Sequence, residues 1–193
     1  GMLSTANFKI GNKEFVNKTK NTMLGRLALH KMLRRMVKED CRVAIVEVSS
    51  EGIISHRAYG INFDTLVFTN LTPEHIESHG SFENYKKAKQ KIFAKLSKQK
   101  RKKLSSFSPR QLKKTIIANI DDKHAEDFLK FTSDQKIGFG VKNNKSLFSD
   151  IVVRAENVVQ SKNGLKFDLD IGGEKTEILT NRRSVLQILE QDQ

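Results

Sequence analysis

Three apolar runs in this chain each stop at a polar side chain. Val43-Ala44-Ile45-Val46 ends in Glu47, Thr65 to Thr69 ends in Asn70, and Thr115 to Ala118 ends in Asn119. Runs this short and continuous, rich in β-branched residues, read as strands buried on both faces, as in a parallel sheet. Parallel neighbours need long crossovers, and helical periodicity lies between the runs. Leu27, Leu29, Met32, Leu33, Met36 and Val37 recur near helical spacing with Lys and Arg between them, which predicts an amphipathic helix. Thr72-Pro73-Glu74 opens a short helix, with proline where no amide hydrogen is needed. Ser81 and Asn84 begin a longer one through Tyr85, Ala88, Lys89, Ile92, Phe93 and Leu96. A helix from Asp122 to Phe131 and a fourth strand from Gln135 to Phe139 continue the alternation.

The flanks read differently. Ser4 to Val16 predicts two short extended pieces around the turn Ile10-Gly11-Asn12. Ser97 to Arg110, with its basic stretch Lys98 to Lys103, predicts an exposed connection. After Ser146 come Ile151-Val152-Val153, Val158-Val159, Leu165 to Ile171 and Thr176 to Leu179, with turns at Asn163-Gly164 and Gly172-Gly173. That half predicts a small antiparallel sheet. The expected fold is α/β: a mostly parallel sheet flanked by helices, with a small antiparallel β appendage. The expected division is an α/β sheet core over 1–145, a β-rich subdomain over 146–180 and a tail over 181–193.

With 193 residues, 37% hydrophobic and 30% charged, the chain can bury one ordinary core. No apolar run approaches the roughly 20 residues that span a bilayer. The start does not read as a signal peptide, and the single cysteine, Cys41, allows no internal disulfide, so a cytosolic setting fits. A net charge of +13 points to anionic partners without choosing among nucleic acid, membrane and phosphorylated small molecules.

Ligands of open parallel sheets bind beyond the carboxyl ends of the strands. Glu47 with Ser49 and Ser50, Asn70 with His75 and His79 just beyond, and Asn119 with Asp121 and Asp122 all fall there, converging on one sheet edge. Glu47 and His75 suit a divalent cation beside phosphates, a hard carboxylate plus an imidazole. From spacing alone, Glu47 can equally be a helix cap and His75 a surface residue. Asn119 and Asp122 can contact a base or ribose, and Asp121 or Asp122 can equally cap a helix. Lys89, read alone, is one solvated lysine among several.

Together these pieces resemble the central domain of Mur ligases, closest to the tripeptide-synthetase branch. The resemblance runs through Glu47-Val48-Ser49-Ser50-Glu51-Gly52-Ile53, Arg57, Phe68-Thr69-Asn70-Leu71-Thr72-Pro73-Glu74-His75-Ile76-Glu77, His79-Gly80-Ser81-Phe82-Glu83-Asn84-Tyr85, Ala88-Lys89 and Phe93. Ala118 to Asp122 resembles the family's later nucleotide motif. The resemblance implies an ATP-dependent amide ligase of peptidoglycan synthesis, working with Mg²⁺ through an acyl phosphate in the bacterial cytoplasm. Its implied substrates are a UDP-MurNAc-peptide and an amino acid, with no nucleic-acid or membrane partner. It implies Glu47 and His75 as magnesium ligands, Lys89 as a carbamylated lysine, and Asn119 and Asp122 as adenine and ribose contacts. Ser49, Arg57 and Thr22 are implied contacts to the UDP-MurNAc-peptide.

The pattern departs in places. Leu24 stands where the family's Thr-Thr-Pro motif has proline, and Glu51 where many relatives have histidine. Nothing matches the phosphate loop G-x-x-G-K-[ST], and 181–193 does not resemble the family's continuation. The expectation is therefore a partial central domain without the family's N-terminal UDP-binding and C-terminal ligase domains, catalytically silent alone. Rival readings are a related ligase of the folylpolyglutamate or cyanophycin synthetase type, a non-catalytic remnant, and a nucleic-acid module built on Lys98 to Lys103. No aromatic platform interleaves that run. The amino acid added and the oligomeric state are not readable.

Overall fold

The structure, a computed structural model, describes residues 1–19, 21–73, 78–103, 110–142, 146–162 and 164–181. They divide into two compact units, one of Gly1–Asn62 with Pro73–Lys95 and one of Phe63–Thr72 with the chain from Leu96 onward.

The first unit holds a four-stranded sheet in the order β3-β2-β1-β4, built from β1 (Met2–Leu3), β2 (Asn7–Ile10), β3 (Lys13–Val16) and β4 (Ile45–Val46). The predicted hairpin is β2 and β3, paired antiparallel from Asn7↔Val16 to Ile10↔Lys13. Gly11 turns it at φ +57, a left-handed conformation that glycine adopts without a Cβ penalty. Helix α1 (Arg26–Lys38) turns Leu29 and Met36 inward with Met32 and Leu33 half-buried beside them, whereas Leu27 and Val37, expected on the same stripe, are 81% and 61% exposed. Leu29 and Met36 join Leu3, Phe8, Ile10 and Met23 in one buried core. Phe8 meets Phe15 edge to face at 5.9 Å, across the hairpin. Helix α2 (Ser50–Ile54) follows β4, and α3 (Phe82–Leu96) buries Tyr85, Ala88, Phe93 and Leu96 at helical spacing. The expected short helix opening at Thr72-Pro73-Glu74 runs into 74–77, outside the described residues.

β4 departs from expectation. It is two residues long, and Val43 and Ile45 are 66% and 61% exposed rather than buried on both faces. The reason is position: among the described residues β4 pairs only with β1, in parallel, and is the edge of its sheet. The polar strand ends therefore do not all share one sheet edge. Glu47 follows β4 in this sheet, whereas Asn70 and Asn119 follow strands of the other.

The second unit is a six-stranded sheet in the order β10-β9-β8-β7-β6-β5. β5 (Thr65–Phe68), β6 (Thr115–Asn119), β7 (Gln135–Gly140) and β8 (Ile151–Ser161) pair in parallel, and β8, β9 (Gly164–Ile171) and β10 (Glu174–Asn181) form an antiparallel meander. The β-rich part is thus continuous with the parallel strands through β7 and β8. The two predicted segments at 151–153 and 158–159 are one strand, bent by an irregularity between Glu156 and Val159 where Asn157 takes φ 51. β6, paired on both sides, buries Thr115, Ile116 and Ala118, but edge strand β5 leaves Val67 55% exposed. Helix α4 (Ala125–Leu129) lies against β6, with Phe128 stacked on Phe68 at 4.0 Å. It is shorter than the expected Asp122–Phe131 because Asp121 to His124 form a turn.

Part of the basic stretch is fastened at the strand starts. Lys114, immediately before β6, is fully buried, and its Nζ donates to the Phe63 carbonyl and to Asp64 Oδ1. Lys102 Nζ donates to Asp64 Oδ2 at 2.5 Å. Arg101 forks onto Asp134, whose Oδ2 also accepts the Lys114 amide at 2.8 Å. The Arg101 hydrogen bond, with the Lys114 amide, lowers the Asp134 carboxyl to about 2. No helix among the described residues is long and apolar enough to cross a membrane.

Candidate functional site

Parallel pairing of β1 and β4 decides what Glu47 meets. Met2↔Ile45 and Leu3↔Val46 are in register, and the Glu47 amide donates to the Leu3 carbonyl at 2.9 Å. Residues just past the two strand ends therefore lie side by side. Glu47 Oε2 accepts the Thr5 amide at 2.6 Å, and Oε1 accepts the Thr5 hydroxyl at 2.8 Å. Thr5 Oγ1 lies 3.1 Å from Thr22 Oγ1, so two expected site residues, Glu47 and Thr22, are joined through one the sequence did not single out.

The neighbouring candidates join them. Arg57 Nη1 donates to the carbonyl of Met23, the residue after Thr22, at 2.7 Å. Ser49 is the N-cap of α2, its Oγ accepting the Gly52 amide at 3.1 Å. The helix cap that sequence offered as an alternative role for Glu47 belongs to Ser49. A Cβ on Gly52 would come within 2.4 Å of Met23 Sδ and 3.1 Å of Ser49 Oγ, so this glycine lets α2 close onto the Thr22–Met23 segment.

Lys89, on α3, points its Nζ at the Tyr85 ring, 5.1 Å from the centroid. The same ring lies 5.3 Å from that of His79, whose Nε2 shares a 3.0 Å hydrogen bond with the buried Ser50 hydroxyl. His75, the other expected metal ligand, lies outside the described residues. Among those residues no group of three His, Cys, Asp or Glu side chains could hold a metal by itself. The donor set at Glu47 is one carboxylate beside two hydroxyls, all hard oxygen. That fits Mg²⁺, which binds through one or two carboxylates and completes its shell with water and phosphate.

In the second unit, Asn119 ends β6 and its Oδ1 accepts the Asp121 amide at 3.0 Å. Asp122 uses Oδ2 to accept the buried Leu71 amide at 2.8 Å and Oδ1 to accept the His124 amide at 2.7 Å. It thereby ties the segment after β5 to the turn before α4. Asp121 accepts the Val141 and Lys142 amides beyond β7. Gly140 makes that approach possible, because a Cβ there would fall 2.7 Å from Asp121 Oδ1. The turn after β6 is thus clasped on both sides by carboxylates, with Asn119 at its mouth.

Comparison with known proteins agrees with this architecture. The family description "Mur ligase middle domain" matches residues 1–182. The chain is 33% identical over 192 residues to a UDP-N-acetylmuramoyl-L-alanyl-D-glutamate–2,6-diaminopimelate ligase of Halalkalibacterium halodurans, covering 98% of this chain and 36% of that protein. It is 29% identical over 171 residues to a UDP-N-acetylmuramyl-tripeptide synthetase of Roseiflexus sp., covering 86% of this chain and 32% of that one. A solved structure of a UDP-N-acetylmuramoyl-L-alanyl-D-glutamate–2,6-diaminopimelate ligase shares the fold, with a TM-score of 0.66 at 21% identity over 92% of this chain and 34% of its own. The chain spans about a third of the length of these relatives. It belongs to the Mur ligase middle-domain family.

Proposed function

We propose that this chain supplies the cation-holding and substrate-holding part of an ATP-dependent ligase of peptidoglycan synthesis, acting in the bacterial cytoplasm on a UDP-MurNAc-peptide and an amino acid. The observation that carries this reading is the cluster around Thr5, where Glu47, just past β4, meets Thr22 on the segment between β3 and α1 and, through Met23, Arg57 just past α2. One side of such a cluster is anionic and the other cationic, as a cation and a sugar-nucleotide peptide require.

In the reaction, the substrate carboxylate attacks the γ-phosphorus of ATP and ADP departs, leaving an acyl phosphate. The incoming amine then attacks the acyl carbon and phosphate departs. Glu47, with His75, would hold Mg²⁺, which when bound neutralises charge on the phosphates. Arg57, fixed by its bond to the Met23 carbonyl, keeps further N–H groups for anionic parts of the substrate. Ser49 spends one acceptor site on the α2 cap and keeps its hydroxyl hydrogen for substrate. In the second unit, Asn119 would contact the adenine. Asp122 keeps lone pairs for a ribose hydroxyl beyond the two it gives to backbone amides. Lys89 would act as a carbamate after leaving the Tyr85 face, since that face attracts an ammonium and repels an anion.

The direct test is binding of UDP-MurNAc-dipeptide to this chain, followed by saturation-transfer NMR. Binding that is lost in Thr22→Val and Arg57→Ala supports the reading. Binding indifferent to both removes the substrate from this cluster. Incubated with ATP, Mg²⁺, substrate and amino acid, the chain is expected to form no amide by itself, because its sequence contains no phosphate loop.

A further inference from the structure

We propose that Thr5 is a positioning residue that sets the Glu47 carboxylate for its cation and fixes the polarity of Thr22; this rests on the metal reading of Glu47 above. A threonine hydroxyl has one hydrogen. Thr5 Oγ1 lies 2.8 Å from Glu47 Oε1 and 3.1 Å from Thr22 Oγ1. The ionised carboxylate can only accept, so the Thr5 hydrogen goes to Glu47. The Thr22 contact must then run the other way, with the Thr22 hydroxyl donating to Thr5 Oγ1. The result is a directed chain from Thr22 to Thr5 to Glu47, closed by the Thr5 amide on Oε2 at 2.6 Å.

Two consequences follow. Both Glu47 oxygens are held by one residue, so the carboxylate cannot rotate, and its outward lone pairs face a fixed direction. Thr22, its hydrogen spent, meets a ligand as an acceptor. It therefore selects an N–H or O–H donor, such as a peptide amide or sugar hydroxyl, over a phosphate or carboxylate oxygen.

The test uses the whole chain with Mn²⁺ as the probe, read by the electron paramagnetic resonance of free Mn²⁺. Thr5→Val and Thr5→Ala both delete the hydroxyl and keep the amide. Each should weaken Mn²⁺ binding on the order of tenfold, the usual effect of losing a group that orients a metal ligand. Thr5→Ser, which restores the hydroxyl, should bind as the unsubstituted chain does. Affinity unchanged or tightened in both Thr5→Val and Thr5→Ala, while Glu47→Gln loses Mn²⁺, overturns the positioning role and leaves the metal reading standing. Glu47→Gln binding like the unsubstituted chain, or an unsubstituted chain that binds no Mn²⁺, overturns the metal reading and this inference with it.

Discussion

Asp122 offers the sharpest test of how the second unit holds its site. Its two carboxylate oxygens satisfy the Leu71 amide at 2.8 Å and the His124 amide at 2.7 Å. Leu71 is buried, so water cannot readily replace the lost acceptor. Replacing Asp122 by alanine strands both donors. Leaving a buried donor unsatisfied costs about 1–3 kcal/mol, and the more open His124 amide belongs at the low end of that range. Together the loss is about 2–4 kcal/mol. At about 2–4 °C per kcal/mol for a protein of this size, the thermal midpoint should fall by roughly 5–15 °C. Asp122→Asn keeps one acceptor oxygen and should lie between alanine and the parent. The assay is thermal unfolding by circular dichroism, with amide hydrogen exchange at Leu71 as the local reporter. If Asp122→Ala melts with the parent and Leu71 stays protected, the clasp has no energetic weight, and a carboxylate kept only for ligand becomes the better account.

Two further perturbations follow from the same unit. Asp134 titrates at about 2 in the folded chain against 3.8 ordinarily, so its contribution to stability is complete above about pH 4 and is lost as pH falls through 2; Asp134→Asn should flatten that part of an acid-denaturation curve. Gly140→Ala places a Cβ 2.7 Å from an Asp121 oxygen that the Val141 and Lys142 amides hold in place, and should cost about 1–3 kcal/mol in denaturant unfolding; a variant as stable as the parent would mean the turn can shift.

Periodicity carried much of the fold. The stripe through Leu29, Met32, Leu33 and Met36 became α1, and the runs at Thr65, Thr115 and Gln135 became adjacent parallel strands. Periodicity could not say which strands have two neighbours. Val43-Ala44-Ile45-Val46 looks as apolar as the run at Thr115, yet one is an exposed edge and the other lies inside a sheet. The family was legible because motif residues such as Glu47 and Arg57 keep their order along the chain. What each candidate touches was not. A carboxylate after a strand reads the same whether it awaits a ribose or clasps backbone amides, as Asp122 does. Thr5 was invisible because its link to Glu47 spans 42 positions and exists only through the parallel pairing of two-residue strands.

The fastening of Lys114, Asp64, Asp134, Arg101 and Lys102 bears on how this unit tolerates change. It joins the starts of β5, β6 and β7, while Asn70, Asn119 and the Asp121 turn stand at their far ends. One end of the strands is a foundation and the other a workbench. An inserted residue between Asp64 and Thr65 would pull that carboxylate away from the buried Lys114 ammonium, and one between Asp134 and Gln135 would pull the other away from the Arg101 guanidinium and the Lys114 amide. Changes in the turn after Asn119 leave the Lys114–Asp64 and Arg101–Asp134 pairs in place, and what they cost is set instead by how far they loosen the Asp121 and Asp122 clasps.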